Sequence, residues 1–374
     1  MEATANNAYA LLMLVFLATL IPLVGIFLAI TPYLMKKSEC FAVTVPEQAI
    51  HDPYLKGLKK RYLIIMFCVT AALTMPCLIS SFSENEYFPF IMTAGIILVT
   101  LVSFTLMLYF RSKVRAYKRK QGWTTRRQSA VAAVSDEEAP RAISLKWNLL
   151  AVPLVALTLA IGYTGYPSMP DLIAMQVGFD GQVTSSMAKS EAAIWLPVLI
   201  QTFLVLILTG SHWMILRSRR SLNPSAPATS ALAYGLFARA QTIYLVALNV
   251  IFCALMILMP LSFMGTISLM QAAAFIIIAA LVMVLGAVAI AVVYGQGGSR
   301  VFARMQSSGT LTADEDEHWK LGVFYFNRED SSLFLLERFG IGWTFNFARP
   351  AVWAIIIGLI VVMAAFIGVV FTLM

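Results

Sequence analysis

Of 374 residues, 60% are hydrophobic and only 12% charged, whereas a soluble domain carries about 25% charged residues. That excludes an ordinary soluble protein. The 27 Lys and Arg outnumber the 19 Asp and Glu, yet they do not read as a nucleic-acid interface. They sit in blocks beside apolar runs of about 20 residues or more, enough at about 1.5 Å per residue to cross roughly 30 Å of hydrocarbon.

Eight such runs are uncharged across their middles: residues 9–34, 62–82, 88–110, 147–164, 193–216, 241–260, 269–294 and 351–373. The fold class expected is an all-α integral membrane protein of about eight transmembrane helices with a small cytoplasmic β element. Residues 1–10 carry no Lys or Arg ahead of the first run. That run is also too long, and lacks the small-residue cleavage site, for a removable signal. Connections one, three, five and seven hold 26 of the 27 basic residues, and Lys189 alone lies on the opposite side. Cytoplasmic loops retain Lys and Arg, so the basic side is expected inside the cell and both termini outside.

Five parts follow in chain order. Residues 1–146 form a three-span unit with a structured first cytoplasmic loop. Residues 147–220 form a two-span unit with an ordered extracytoplasmic loop. Two further spans occupy 221–294, a cytoplasmic aromatic-rich β domain 295–350, and a last span 351–374.

In the first cytoplasmic loop, Phe41, Val43 and Val45 alternate as in a strand, and Pro46 with Glu47 suits the first turn of a helix leading into the second span. The basic start of residues 111–146 continues the third span. It reads as a topology determinant, with anionic lipid headgroups as the alternative ligand. Residues 221–230, with Pro224 and Pro227, read as a linker. Gly295, Gly297 and Gly298 read as a helix stop, or as an anion nest.

Residues 319–350 alternate short aromatic runs with turn residues, predicting two or three strands joined at 327–332 and 339–342. So few strands need cover, and residues 41–45 are expected to add to them. The candidate cytoplasmic partner surface is Trp319, Tyr325, Asn327, Arg328, Asp330, Arg338, Trp343 and Asn346; the same aromatics also suit a small core. Outside, Pro167, Pro170, Asp171 and Asp180 bracket apolar residues as an ordered loop does.

No span holds Asp, Glu, Lys or Arg at its centre, which argues against ion-coupled transport. Gln201 and Asn249 suit interhelical hydrogen bonds or the lining of a substrate path. His51, His212 and His318 have no consistent metal spacing, and Cys40, Cys68, Cys77 and Cys253 form no Cys-x-x-Cys pair. No hydrolase, metalloprotease or nucleotide-binding motif occurs. We therefore expect no enzyme activity, catalytic residue, metal or cofactor.

Tyr166, Pro167, Pro170, Asp171, Ile173, Gly181 and Lys189 match the pattern Tyr-Pro-x-x-Pro-Asp-x-Ile, a glycine turn and a lysine. In this the outer loop resembles the extracytoplasmic domain shared with Sdp toxin-immunity membrane proteins. Residues 41–62 and 319–350 likewise look like parts of bacterial membrane proteins of unknown function, the latter being a separately recurring cytoplasmic domain. Where that pattern has Pro-x-His-Phe, this chain has Ala174, Met175, Gln176 and Val177. A glutamine neither titrates nor ligates metals well.

The resemblance implies a bacterial plasma-membrane protein. In the immunity relatives it also implies protection against a membrane-active peptide and sequestration of a repressor. The expected function is thus immunity-like or signal-receiving. An extracellular peptide would meet Tyr166, Pro167, Pro170, Asp171, Gln176, Asp180 and Lys189, and a cytoplasmic regulator the inner surface. Besides these partners only the lipid bilayer is expected, with no direct nucleic acid. A transporter of a neutral or amphipathic solute is the alternative, and a membrane enzyme without recognisable motif the second.

Overall fold

In lipid, every backbone N–H and C=O must find a partner within the protein, and a helix does this residue by residue. The computed structural model describes residues 19–82, 88–123, 140–178, 182–219, 223, 226–305 and 315–373. Among the described residues, seven helical stretches are long and apolar enough to span a membrane: Pro53–Ser80, Phe90–Lys120, Leu145–Ser168, Ala192–Arg217, Pro227–Phe263, Leu269–Met305 and Pro350–Leu373. The chain is an all-α, multi-pass membrane protein. A shorter apolar helix, α1 (Thr19–Leu34), precedes them; residues 9–18 of the first expected span lie outside the described residues.

Helices α2 (Pro53–Phe82) and α3 (Phe88–Lys120) pack as a pair with α1. Asp52 starts α2 by accepting from the N–H groups of Tyr54 (2.8 Å) and Leu55 (3.2 Å), with Pro53 at the first position, where no amide hydrogen is needed. Helix α3 runs past its apolar stretch to Lys120, so the basic start of the third connection is helical as expected.

A second bundle comprises α4 (Ala151–Gly165), α5 (Ala192–Arg217), α6 (Pro227–Met256), the short α7 (Leu258–Phe263) and α8 (Leu269–Tyr294). Helix α5 packs on α4 and α6, and α6 on α8. Helix α6 begins at Pro227, which corrects the linker expected over 221–230; a proline at the first helical turn starts a helix there. Helix α10 (Pro350–Leu373) leans on α5, where Phe203 and Phe366 stack at 4.2 Å between ring centroids. Apart from Val352 its side chains are not buried, as expected of a helix facing acyl chains.

Among the described residues the strands form four separate antiparallel hairpins: β1 (Glu39–Cys40) with β2 (Val43–Thr44), β3 (Leu172–Val177) with β4 (Val183–Ala188), β5 (Trp319–Lys320) with β6 (Phe324–Tyr325), and β7 (Phe334–Leu336) with β8 (Trp343–Phe345). Residues 41–45 do not add a strand to the C-terminal hairpins. Phe41 and Ala42 are the two turn residues between β1 and β2, at φ of 47° and 57°. Such a turn usually takes Asn-Gly. Here the strain is offset by packing, since Phe41 stacks on Phe110 at 5.1 Å and meets Tyr62 edge-on at 5.4 Å. Glu47–His51 is a 3-10 turn and not the start of the span helix.

The segment 295–305 is also not part of the β element. Gly295 (φ 64°) ends α8, and α9 (Ser299–Met305) follows. Gly298 lies so close to α6 that a Cβ would sit 2.2 Å from the Ala233 carbonyl oxygen, which only glycine permits. The glycine cluster is therefore a helix stop and a tight joint.

These elements define two faces. Hairpin β3–β4 caps one, where Met169, Ile173, Met187 and Phe263 form a buried cluster that Leu373 joins. The end of α10 thus lies on the hairpin face. The other face carries the basic ends of α2, α3 and α5 with the remaining three hairpins.

Candidate functional site

The hairpin face rises from the end of α4 through a 3-10 turn, Tyr166–Ser168, into β3. Ile173 and Met187 are cross-strand partners and both point into the core, while Leu172 and Val183 stand exposed. The register shifts on either side of Gln176, a bulge of the kind that re-aims side chains. Gln176, Pro167, Pro170 and Asp171 are exposed and Tyr166 half-buried; Asp180 lies outside the described residues.

Lys189 closes the loop. Its ammonium donates to the carbonyls of Met169 (2.8 Å) and Pro167 (3.2 Å) and stands 5.1 Å from the Tyr166 ring centroid, while its N–H donates to Asp171 O at 2.8 Å. Tyr166, Pro167, Asp171 and Lys189 are therefore one clasp at the hairpin base. Replacing Lys189 with Met should cost about 2 kcal/mol, the sum expected for charge-assisted bonds to carbonyls and a partly exposed cation–π contact. Hydrogen exchange at Ile173 and Met187 should rise accordingly; unchanged protection would mean that the clasp does not hold the hairpin.

On the basic face, charged side chains from four distant segments converge. Asp316 accepts from Thr44 N (3.0 Å), Thr44 Oγ1 (2.8 Å) and Lys118 Nζ (2.9 Å), and pairs closely with Arg338. Arg338 is buried, lies 5.1 Å from the centroid of Trp319, and has its Nε 4.0 Å from the buried Glu39 carboxylate. Arg111, also buried, donates to the carbonyls of Ala42 and, at 3.3 Å, Trp319, so it ties the β1–β2 turn to β5. Arg219, just beyond α5, pairs with Glu315 (2.9 Å) and Asp330 (2.7 Å), and its N–H donates to Phe334 O at 2.9 Å.

Burial acts on three carboxylates here, Asp316, Glu39 and Glu337. It would raise the Asp316 carboxyl, but Arg338, Lys118 and the Thr44 N–H outweigh it and hold that group at about 2. Burial pushes Glu39 up, with Lys36 and Arg338 pulling it back. Glu337, folded over Gly340 and Gly342, is pushed by burial to about 7. A carboxyl raised from 4.5 to about 7 favours the folded module below pH 4.5, and the benefit disappears as pH climbs through about 7. Glu337→Gln should therefore flatten that dependence and raise stability above pH 7 by roughly 3 kcal/mol. Thermal unfolding of both proteins between pH 5 and 8 checks it, and parallel profiles would refute it.

Asn346 is fully buried and uses every hydrogen-bonding position it has. Its amide donates to the carbonyls of Asn327 (2.9 Å) and Asp330 (3.0 Å), and its oxygen accepts from the N–H groups of Asn327 (3.1 Å) and Ala348 (3.2 Å). Tyr325, also fully buried, donates its hydroxyl to Asp330.

The residues grouped as a cytoplasmic partner surface are thus largely interior. Trp319, Tyr325, Arg338 and Asn346 are buried; Asn327, Asp330 and Trp343 are half-buried; only Arg328 is exposed. The physical reason is that strands of two or three residues have no core except these aromatics, and Trp343 stacks on Phe237 of α6 at 5.5 Å. Sequence reasoning missed Glu39, Thr44, Lys118, Arg219, Glu315 and Asp316. No local spacing links Asp316 to Thr44, 272 positions away.

Between the faces, a polar seam joins the 3-10 turn Leu145–Leu150, just ahead of α4, to α5 and α6. Ile143 O can only accept, so His212 Nε2 (3.0 Å away) carries the hydrogen, and Nδ1 accepts from Asn148 Nδ2 at 2.9 Å. Asn249 donates to Asn148 Oδ1 at 3.0 Å, and Gln201 to Cys253 O at 3.0 Å. Both nitrogens of His212 are thereby committed, in the neutral ring.

A family model described as "Domain of unknown function (DUF1648)" matches residues 154–200, which hold the clasp and hairpin. A second, "Family of unknown function (DUF5808)", matches residues 328–353, which hold Asp330, Arg338 and Asn346. No curated protein and no solved structure matches.

Proposed function

We propose that this protein is a non-enzymatic, immunity-like or signal-receiving protein of the bacterial plasma membrane. Its hairpin face would meet an extracellular peptide and its basic face a cytoplasmic regulator. The observation that carries this reading is the continuity of α5. The helix starts beside the hairpin clasp at Ala192 and ends at Arg217; two residues on, Arg219 joins the ion pairs of the C-terminal module. A peptide that shifts the hairpin therefore has one rigid element through which to reach Glu315, Asp330 and β7. The hairpin's exposed Leu172, Gln176 and Val183 offer the apolar and polar contacts for such a peptide.

The test is expression of the full chain in a host sensitive to a membrane-active peptide encoded beside its gene. Survival should rise, and shortening β3–β4 to a Gly-Ser turn should abolish the gain. Equal killing with and without the protein overturns the reading.

Solute transport is the second reading. On its side are two buried acceptors, Gln201 Oε1 and Asn249 Oδ1, that lack partners among the described residues. Against it, the seam's donors are spent on other protein groups. Uptake of a solute that Gln201→Leu and Asn249→Leu both block would decide for it.

A further inference from the structure

We propose that the mouth of the α2–α3 pair on the basic face is a binding site for one anionic phospholipid, with the phosphate on Arg61 and Lys113 and the acyl chain along α2. A groove there is lined by Arg61, Ile64, Ile65, Tyr109, Phe110 and Lys113. Arg61 is the last charged residue of α2 before its uncharged run, and Lys113 lies just beyond the corresponding run of α3. Ile64 and Ile65 stand three and four positions after Arg61, so they share its helix face one turn deeper. Tyr109 and Phe110 stand four and three positions before Lys113, again one turn deeper because α3 runs the opposite way.

Each wall therefore presents a cation at the rim and apolar side chains below it. Neither cation has a carboxylate partner among the described residues. This sets them apart from Lys118, Arg219 and Arg338, which are spent on the ion cluster. The Lys113 ammonium is held 4.8 Å from the Tyr109 ring centroid, which fixes its position without neutralising it. Ile64, Ile65 and Tyr109 are exposed, so in a bilayer the groove is filled by lipid whatever its headgroup. Two unpaired cations at the rim select a net-negative phosphate over a zwitterion.

The probes are dioctanoyl phosphatidylglycerol, dioctanoyl phosphatidylcholine and inorganic phosphate, added to the purified full chain in neutral detergent and followed by native mass spectrometry. Phosphatidylglycerol should bind more tightly than phosphatidylcholine. Arg61→Gln with Lys113→Gln should weaken it roughly thirtyfold, taking each surface cation at its usual worth. Arg61→Gln alone, an exposed position that tolerates change, should weaken it roughly fivefold. The pair Lys60→Gln and Arg119→Gln, exposed on the same face but outside the groove, should leave binding unchanged. Equal affinity for the two lipids, equal loss in both variant pairs, or displacement by inorganic phosphate alone would each overturn the site.

Discussion

Replacing Asp316 with Ala should detach the C-terminal module from the β1–β2 hairpin and cost about 3–5 kcal/mol, the loss typical when one partner of a buried ion pair is removed. Asp316 touches Thr44, Lys118 and Arg338 together. Without it, the carboxylate left to the buried Arg338 among the described residues is Glu39, which is 4.0 Å away and is itself pushed toward protonation by burial. Asp316→Asn should cost less, because the amide oxygen can still accept from Thr44 while losing its charge.

The same group sets an acid limit. Its folded value of about 2 lies below the ordinary 3.8, so its contribution is complete above pH 3.8 and is lost as pH falls through about 2. Thermal unfolding in detergent, read beside exchange at Thr44 and Val45, measures both effects. A melting temperature and exchange pattern unchanged in Asp316→Ala would show that the module is held by other contacts.

The membrane helices were legible because their signal is local. An uncharged run long enough to span lipid declares itself residue by residue, and α2, α3, α5, α8 and α10 lie where hydropathy puts them. The hairpin clasp was partly legible. Tyr166, Pro167, Asp171 and Lys189 could be grouped by pattern, but that the lysine caps the carbonyls of Pro167 and Met169 is a matter of tertiary geometry.

The basic face was least legible. Phe41 reads as a strand residue by alternation, yet tertiary packing on Tyr62 and Phe110 places it in a left-handed turn. Trp319, Tyr325 and Arg338 read either as a partner surface or as a small core, because segments of two or three residues give no periodicity to separate inside from outside. The hydrogen bonds from Thr44 to Asp316 and the ion pair of Asp316 with Lys118 join three parts of the chain that no sequence spacing relates.

Asn346→Leu should be nearly as costly as loss of Asp316, by a different route. Leucine fills the volume but removes four hydrogen bonds, leaving the N–H and C=O of Asn327, the C=O of Asp330 and the N–H of Ala348 without this partner. At about 1 kcal/mol for each buried group left unsatisfied, the total is roughly 3–4 kcal/mol. Asn346→Asp separates the two halves of the effect: it keeps the oxygen that accepts from Asn327 and Ala348 and loses the donations to Asn327 and Asp330. It also sets a new negative charge beside Asp330, which already lies under Arg219.

Because Arg349 donates to Asp330 O at 2.8 Å and Pro350 opens α10, the turn that Asn346 organises also fixes where the last helix enters the bilayer. Limited proteolysis should therefore cut Asn346→Leu within residues 326–333, and the stacking of Phe366 on Phe203 should loosen with it. A variant that resists protease as the native chain does would mean the turn is set by Arg219 and Tyr325 through Asp330, with Asn346 merely accommodated.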